Sequence, residues 1–277
     1  MSPDQYCEQK AAASGSSFYY AFRFLPPERR RAITALYAFC REVDDAVDEP
    51  HDPAIARARI GWWSEEVDAI YSGKPKHPVG QALMPAIGPY NLRRDLLEEI
   101  IAGMAMDLDH QRYATFEQLQ LYCHRVAGVV GALAARIFGY TNPRTLEYAE
   151  RLGLSFQLTN IIRDIGEDAR RNRIYIPMED LATYNVSAAD VLRSHPSENF
   201  RRLMAFQIRR AEESYAQALA LLPAEDRRPQ RPGLVMAAIY RTLLMEIGRA
   251  PELVLTQRTE LPPIRKLWIA WRTWVAV

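Results

Sequence analysis

Cysteine is scarce. The 277-residue chain has three, Cys7, Cys40 and Cys123, widely spaced and without a C-x-x-C pair. That argues against a disulfide framework or a zinc site and fits buried free thiols in a reducing cytoplasm. An excess of one charge is also missing: 35 Lys plus Arg stand against 34 Asp plus Glu, a net charge of +1. A dedicated nucleic-acid binder carries a clear basic excess, so no nucleic-acid partner is expected. No apolar run reaches the ~18 residues of a membrane-spanning helix. Asp4, Glu8 and Lys10 interrupt the N-terminal stretch where a secretory signal needs its apolar core. There is no fixed-period repeat, no low-complexity segment and no alternating strand pattern. No G-x-G-x-x-G follows a strand, so no independent nicotinamide domain is expected.

What remains is helical. At 48% apolar and 25% charged residues the chain is globular and not disordered. Pro26-Pro27-Glu28 opens a segment in which Ile33, Leu36, Tyr37, Cys40, Val43 and Val47 recur at spacings of three and four, up to Pro50. Further helical segments are predicted at about 54–72, 92–111, 115–139, 143–169, 197–222 and 232–250, joined through Pro, Gly or Asn. The expected fold is all-α, one domain over residues 1–277, with the stretch from about 260 to 277 peripheral to it.

Two acidic clusters oppose local folding. Asp44 and Asp48 are four apart near the end of the first long segment; Asn160, Asp164 and Asp168 follow the same step in a later one. Each set shares one helix face. Like charges at this spacing cost ~0.2–0.5 kcal/mol per pair. An anion at a helix C-terminus costs a further ~0.3–1 kcal/mol. A cation bound between the helices removes both penalties. Carboxylates and an amide oxygen suit Mg2+, or Mn2+, which commonly shares its shell with substrate phosphates. Arg41 and Arg163 lie within a turn of the acids, placed to grip phosphate oxygens. A diphosphate held through metal ions is the chemistry this pattern points to. A di-iron carrier would want Glu-x-x-His, whereas Asp48…His51 and Asp107…His110 offer Asp instead, and neither cluster fits an EF-hand loop.

These clusters do not stand alone. With Ser14-Gly-Ser-Ser-Phe18, Gly103-Met-Ala-Met-Asp107, Arg112-Tyr, Tyr122-Cys-His-Arg-Val-Ala127-Gly-Val-Val-Gly131 and Asn172-Arg-Ile-Tyr-Ile-Pro177, the chain resembles the squalene and phytoene synthases from about residue 5 to 260. Its N-terminal motifs look most like the branch that makes presqualene diphosphate for hopanoids. The resemblance implies an isoprenoid-synthase helical bundle around a central cavity. It implies Mg2+-dependent head-to-head condensation of two farnesyl diphosphates to presqualene diphosphate, with NADPH not expected. It assigns Asp44, Asp48, Asn160, Asp164 and Asp168 to the metal ions. Ser16, Ser17, Phe18, Arg41, Gln157, Arg163, Tyr240 and Arg258 fall to substrate binding, and Tyr122 joins the aspartates as a catalytic group.

A carbocation needs a dry cavity, for which Phe18, Phe22, Val126, Val129, Leu133 and Leu158 are candidates. The proton acceptor is either Tyr122 or the released diphosphate. Rival readings are an NADPH-dependent squalene synthase, a phytoene synthase using geranylgeranyl diphosphate, and a non-catalytic helical metal-binding scaffold. The basic doublets, such as Arg170-Arg171 and Arg209-Arg210, read as solvated surface. Trp268, Trp271 and Trp274 with Arg265, Lys266 and Arg272 suit either peripheral contact with the inner face of a membrane or a last helix packed on the body.

Overall fold

The structure, a computed structural model, describes residues 1–13, 21–22, 24–49 and 52–277. Among them thirteen α-helices follow in order: α1 Pro3–Ala13, α2 Pro27–Asp48, α3 Pro53–Tyr71, α4 Pro78–Ile87, α5 Arg94–Asp109, α6 Phe116–Cys123, α7 Val129–Phe138, α8 Arg144–Arg170, α9 Met178–Thr183, α10 Ala188–Leu192, α11 Glu198–Leu221, α12 Arg231–Arg249 and α13 Pro263–Ala276. The described residues form no strand; one isolated parallel bridge joins Arg112 to Ile174.

Local chemistry sets the helix ends. Pro occupies the first turn of α2, α3 and α4, where its missing N–H costs nothing. Asp52 Oδ1 accepts from Ala54 N at 2.8 Å, and Thr115 and Ser197 cap α6 and α11 in the same way. The long predicted segments fall within a few residues of these helices. The periodicity gave no signal for the short helices α4, α9 and α10, because ten residues or fewer hold too few repeats.

The segment predicted as one helix at 115–139 is interrupted. Between α6 and α7, His124–Gly128 form a π-helical turn. The continuous stretch Phe116–Phe138 is long and apolar enough to cross a bilayer by length and composition, contrary to the expectation from apolar runs alone. Half of it is buried inside the protein, where it packs against α5 and α8.

α8 is the central element. It packs against α7, α11, α12 and the π-turn. Two glycines permit the approach: a Cβ on Gly131 would lie 2.2 Å from the Ala149 carbonyl oxygen, and one on Gly153 would lie 2.3 Å from that of Ala127. The start of α8 is pinned by the fully buried Asp226. Its Oδ1 accepts from Thr141 N and Oγ1 at 2.8 Å each; its Oδ2 accepts from Asn142 N at 2.9 Å and Thr145 Oγ1 at 2.6 Å. An anion there also complements the helix dipole.

Candidate active site

The second half of α2 and the second half of α8 line one polar pocket of about 380 Å3. Arg41, Asp44 and Asp48 enter from α2, and Gln157, Asn160, Arg163, Asp164, Glu167 and Asp168 from α8. The step of four that brings acids together on one helix therefore also brings the two helices' acids to one space. Arg258, beyond the short turn Pro251–Leu255, lines it too.

Each wall is neutralised by arginine. Arg41 donates to Asp44 at 2.7 Å and to Asp45 at 3.0 Å. Arg171 and Arg173 reach across to Asp48 at 2.6 and 2.7 Å. Arg163 clasps Asp164 through Nε at 2.7 Å and through Nη2, and Arg258 Nε approaches the same carboxylate at 3.1 Å. Asp168 has no such ion pair among the described residues. Burial, together with Asp164 and Asp107, pushes its carboxyl up to about 8, although Arg173 and Arg171 pull the other way. Burial likewise lifts Asp44 to about 6, against the pull of Arg41.

Asn160 adds a second sign of incompleteness. Its Nδ2 donates to Gln157 Oε1 at 3.2 Å, but its buried Oδ1 has no hydrogen-bond partner. An orphaned amide oxygen beside carboxylates is a donor set for a hard divalent cation. No three acidic, histidine or cysteine side chains among the described residues already converge on one point. A cation entering here would compete with the arginines for the carboxylates.

Deeper in the pocket lies a carboxylate to which the motifs assign no role. Asp107 on α5 is buried and accepts from Tyr122 at 3.0 Å and from Tyr175 at 2.7 Å. Burial pushes its carboxyl up to about 6, while Arg173 and the two phenols hold it lower than burial alone would. It closes the motif Gly103-Met-Ala-Met-Asp107 that carries part of the family resemblance, where it stands as an Asp inside an otherwise apolar helical run. Arg171, expected on the solvated surface, is exposed there, and its guanidinium also binds Asp48 at the edge of the pocket. Arg210 is a further exception, since it pairs with buried Asp180 at 2.6 Å and stacks on Phe116.

Tyr240 lines neither the polar pocket nor the channel next to it. It lies behind Arg163, hydrogen-bonded to it, with its ring 4.9 Å from Phe156. Its contact is with the guanidinium, which it helps to hold. Ser16, Ser17 and Phe18 lie outside the described residues.

An apolar channel of about 180 Å3 opens from the polar pocket and shares Cys40, Val126, Gln157 and Asn160 with it. Phe22 and Val126 line it as expected, but Val129, Leu133 and Leu158 do not. Those three are buried in the core. The wall includes Ala127, Val130, Gly131, Ala134 and Gly153 along the π-turn, α7 and α8, together with larger side chains such as Leu36, Tyr37, Phe138 and Leu152. A charged mouth joined to a dry tunnel accommodates an amphiphile with an anionic head and a hydrocarbon tail.

Comparison with known proteins agrees with that shape. The family profile described as squalene/phytoene synthase matches residues 11–265. A phytoene synthase of Arthrospira platensis is 38% identical, covering 94% of this chain and 89% of that protein. A 15-cis-phytoene synthase of Synechocystis is 34% identical, covering 96% and 83%. These relatives are phytoene synthases, not the presqualene branch to which the N-terminal motifs pointed. Among solved structures, a dehydrosqualene synthase in complex with ligand superposes with a TM-score of 0.86 at 26% identity, over 99% of this chain and 96% of that one. The squalene synthase HpnC from Alicyclobacillus acidocaldarius gives 0.77 at 25% identity, over 90% and 94%.

Proposed function

Because this chain belongs to the squalene/phytoene synthase family, we propose that it condenses two prenyl diphosphates head to head through a cyclopropyl diphosphate. The observation that carries this reading is the arginine- and aspartate-lined pocket opening into an apolar channel, with Gln157 and Asn160 at the junction. The phytoene synthases at 38% and 34% identity support geranylgeranyl diphosphate as the substrate.

Asp44, Asp48, Asn160, Asp164 and Asp168 would hold Mg2+. When bound, the metal supplies Lewis acidity and neutralises the diphosphate. The orphaned Asn160 oxygen and the raised Asp168 carboxyl fit that role. With the carboxylates engaged by metal, Arg41, Arg163, Arg171, Arg173 and Arg258 would be available to the phosphate oxygens, which planar guanidinium groups grip in pairs.

The C–O bond of the first prenyl unit breaks, and its electron pair leaves with the diphosphate. The allylic cation that remains lies in the channel, away from water. The double bond of the second unit supplies the pair for the new C–C bond. Loss of a proton then closes the cyclopropane, and the second diphosphate is retained. Tyr122, bonded to Asp107, carries that proton toward a buried carboxylate.

A second reading, farnesyl diphosphate to presqualene diphosphate, is favoured by one feature of the channel. Phe22 and Phe138 line the part that shares no residue with the polar pocket, their ring centroids 6.3 Å apart. Two bulky rings there shorten the space for a tail. The similarity to a dehydrosqualene synthase supports the same length.

Incubation with each prenyl diphosphate and Mg2+, with and without NADPH, followed by mass analysis, separates the readings. A forty-carbon product from geranylgeranyl diphosphate is expected. A thirty-carbon monodiphosphate confined to farnesyl diphosphate moves the assignment to the second reading, and no turnover of either overturns both.

A further inference from the structure

We propose that the outward face of α13 docks this protein on an anionic lipid bilayer. α13 has two apolar faces. Ile269 and Ala270 are buried against the body, and Trp274 packs on Phe24 at 5.1 Å. Ile264, Trp268, Trp271 and Val275 are 81%, 53%, 58% and 65% exposed. Their steps of four, three and four place them in one stripe along the helix, and Leu267 borders it. No packing among the described residues covers that stripe.

Its edge is basic. Arg265 and Arg272 project beside it, and the Arg272 guanidinium stacks 4.7 Å over the Trp268 ring. Arg265 pairs with Glu246 at 2.7 Å, whereas Arg272 has no carboxylate within ion-pair distance among the described residues. Indole rings with cations at their rim suit the headgroup region of a bilayer, where the apolar ring is buried and the charge meets lipid phosphate. Anionic lipid is the complementary surface. A second copy of the chain is a poorer occupant. Twofold pairing of one stripe would bring the arginines of the two copies together, and one helix face falls well short of the ~800 Å2 per partner of a stable interface.

The position of α13 gives the docking a use. Lys266, on the inner side of the helix, feels the charges of Arg163 and Arg258, both of which line the polar pocket, as well as that of Glu260. The helix therefore starts beside the mouth, and a bilayer under the stripe lies near the route by which a hydrocarbon-tailed molecule enters or leaves.

Flotation of the full chain with vesicles of phosphatidylcholine, alone or mixed with phosphatidylglycerol, tests it. The wild type should float with the anionic vesicles. Trp268→Ser with Trp271→Ser should weaken that binding by about tenfold or more. Arg272→Glu should remove the preference for phosphatidylglycerol. All of these residues are on the surface, so circular dichroism, melting temperature and turnover of prenyl diphosphate in detergent should not change, which separates this test from that of the proposed function. No flotation of the wild type overturns the proposal. So does flotation unaltered by the double variant, or a concentration-dependent dimer that the double variant abolishes while no vesicle is bound.

Discussion

Asp48 accepts Arg173 Nη1 at 2.7 Å across 125 positions of sequence. The contact ties the C-terminal end of α2 to the segment that follows α8, and it shapes the polar pocket before any ligand arrives. Arg173 also lies close enough to lower Asp107 and Asp168, so one guanidinium serves three carboxylates, one by hydrogen bond and two through its charge. Replacing Arg173 by Met should therefore cost about 3–5 kcal/mol of stability, as expected when a part-buried charge set loses its partner. Denaturant midpoints would measure it, and Arg173→Lys should restore part of the loss.

Stability and function should pull apart at Asp168. Its folded carboxyl lies at about 8, above the value of an unfolded chain. A raised acid destabilises the fold wherever it is ionised. Without divalent cation, stability should therefore rise as pH falls from above 8 toward the unfolded value near ~4. Asp168→Asn should flatten that dependence and raise the melting temperature by about 2–4 °C for each kcal/mol relieved, while nearly abolishing Mg2+-dependent turnover. A stabilised variant with normal turnover would count against the metal assignment.

Asp44→Asn and Asp164→Asn should each lower turnover with Mg2+ by about a hundredfold or more, as expected when groups that stabilise the leaving charge are removed. Calorimetric titration of Mg2+ in the presence of inorganic diphosphate should show weakened binding in both variants. Near-normal activity in both would remove the aspartates from the site.

Tyr122 and Tyr175 share Asp107 but differ in the role proposed for them. Tyr122→Phe should lower kcat by about tenfold to a thousandfold with little change in KM, consistent with loss of a proton carrier. Tyr175→Phe removes the other hydrogen bond, and its effect should be chiefly on stability, about 1–3 kcal/mol. Equal kinetic effects would indicate that both phenols only support Asp107.

Asp226 supplies a control far from the chemistry. Burial alone would raise its carboxyl, but hydrogen bonds from Thr145, Asn142 and Thr141 hold it below the usual value. A lowered acid contributes stability above the unfolded value, near ~4, and loses it as pH falls through the folded one. Asp226→Ala should cost about 3–5 kcal/mol at neutral pH, because it leaves buried donors without a partner. Turnover at temperatures below melting should be unchanged, as read from a steady-state assay.

Much of the pocket could be read before the fold was known, for a local reason. Asp44 with Asp48, and Asn160 with Asp164 and Asp168, advertise themselves because the step of four is both a helix-face rule and an electrostatic penalty. Arg41 and Arg163 are legible as their neighbours. Asp107, Arg171 and Arg173 are not, because their partners sit 15 to 125 residues away and no periodicity carries that distance. Tyr240, expected at the substrate, meets the pocket through Arg163, to which it is hydrogen-bonded. The channel wall was misread for a related reason. Val129, Leu133 and Leu158 follow the same spacing as Val126, and only packing decides which apolar side chain meets a void and which meets another helix.

The sequence by itself determined an all-α chain, two acidic helix faces and an amphipathic, tryptophan-rich helix, since each depends on neighbours within a turn or two. Tertiary structure alone decided that the two acidic faces share one pocket, that Arg171, Arg173 and Arg258 reach those acids from beyond their own helix turns, and that Gly131 and Gly153 let α8 close on α7 and the π-turn beside a channel. It also decided which side of α13 turns outward. These are contacts between distant segments, fixed by close packing and by the need to pair buried charge, and no local pattern encodes them.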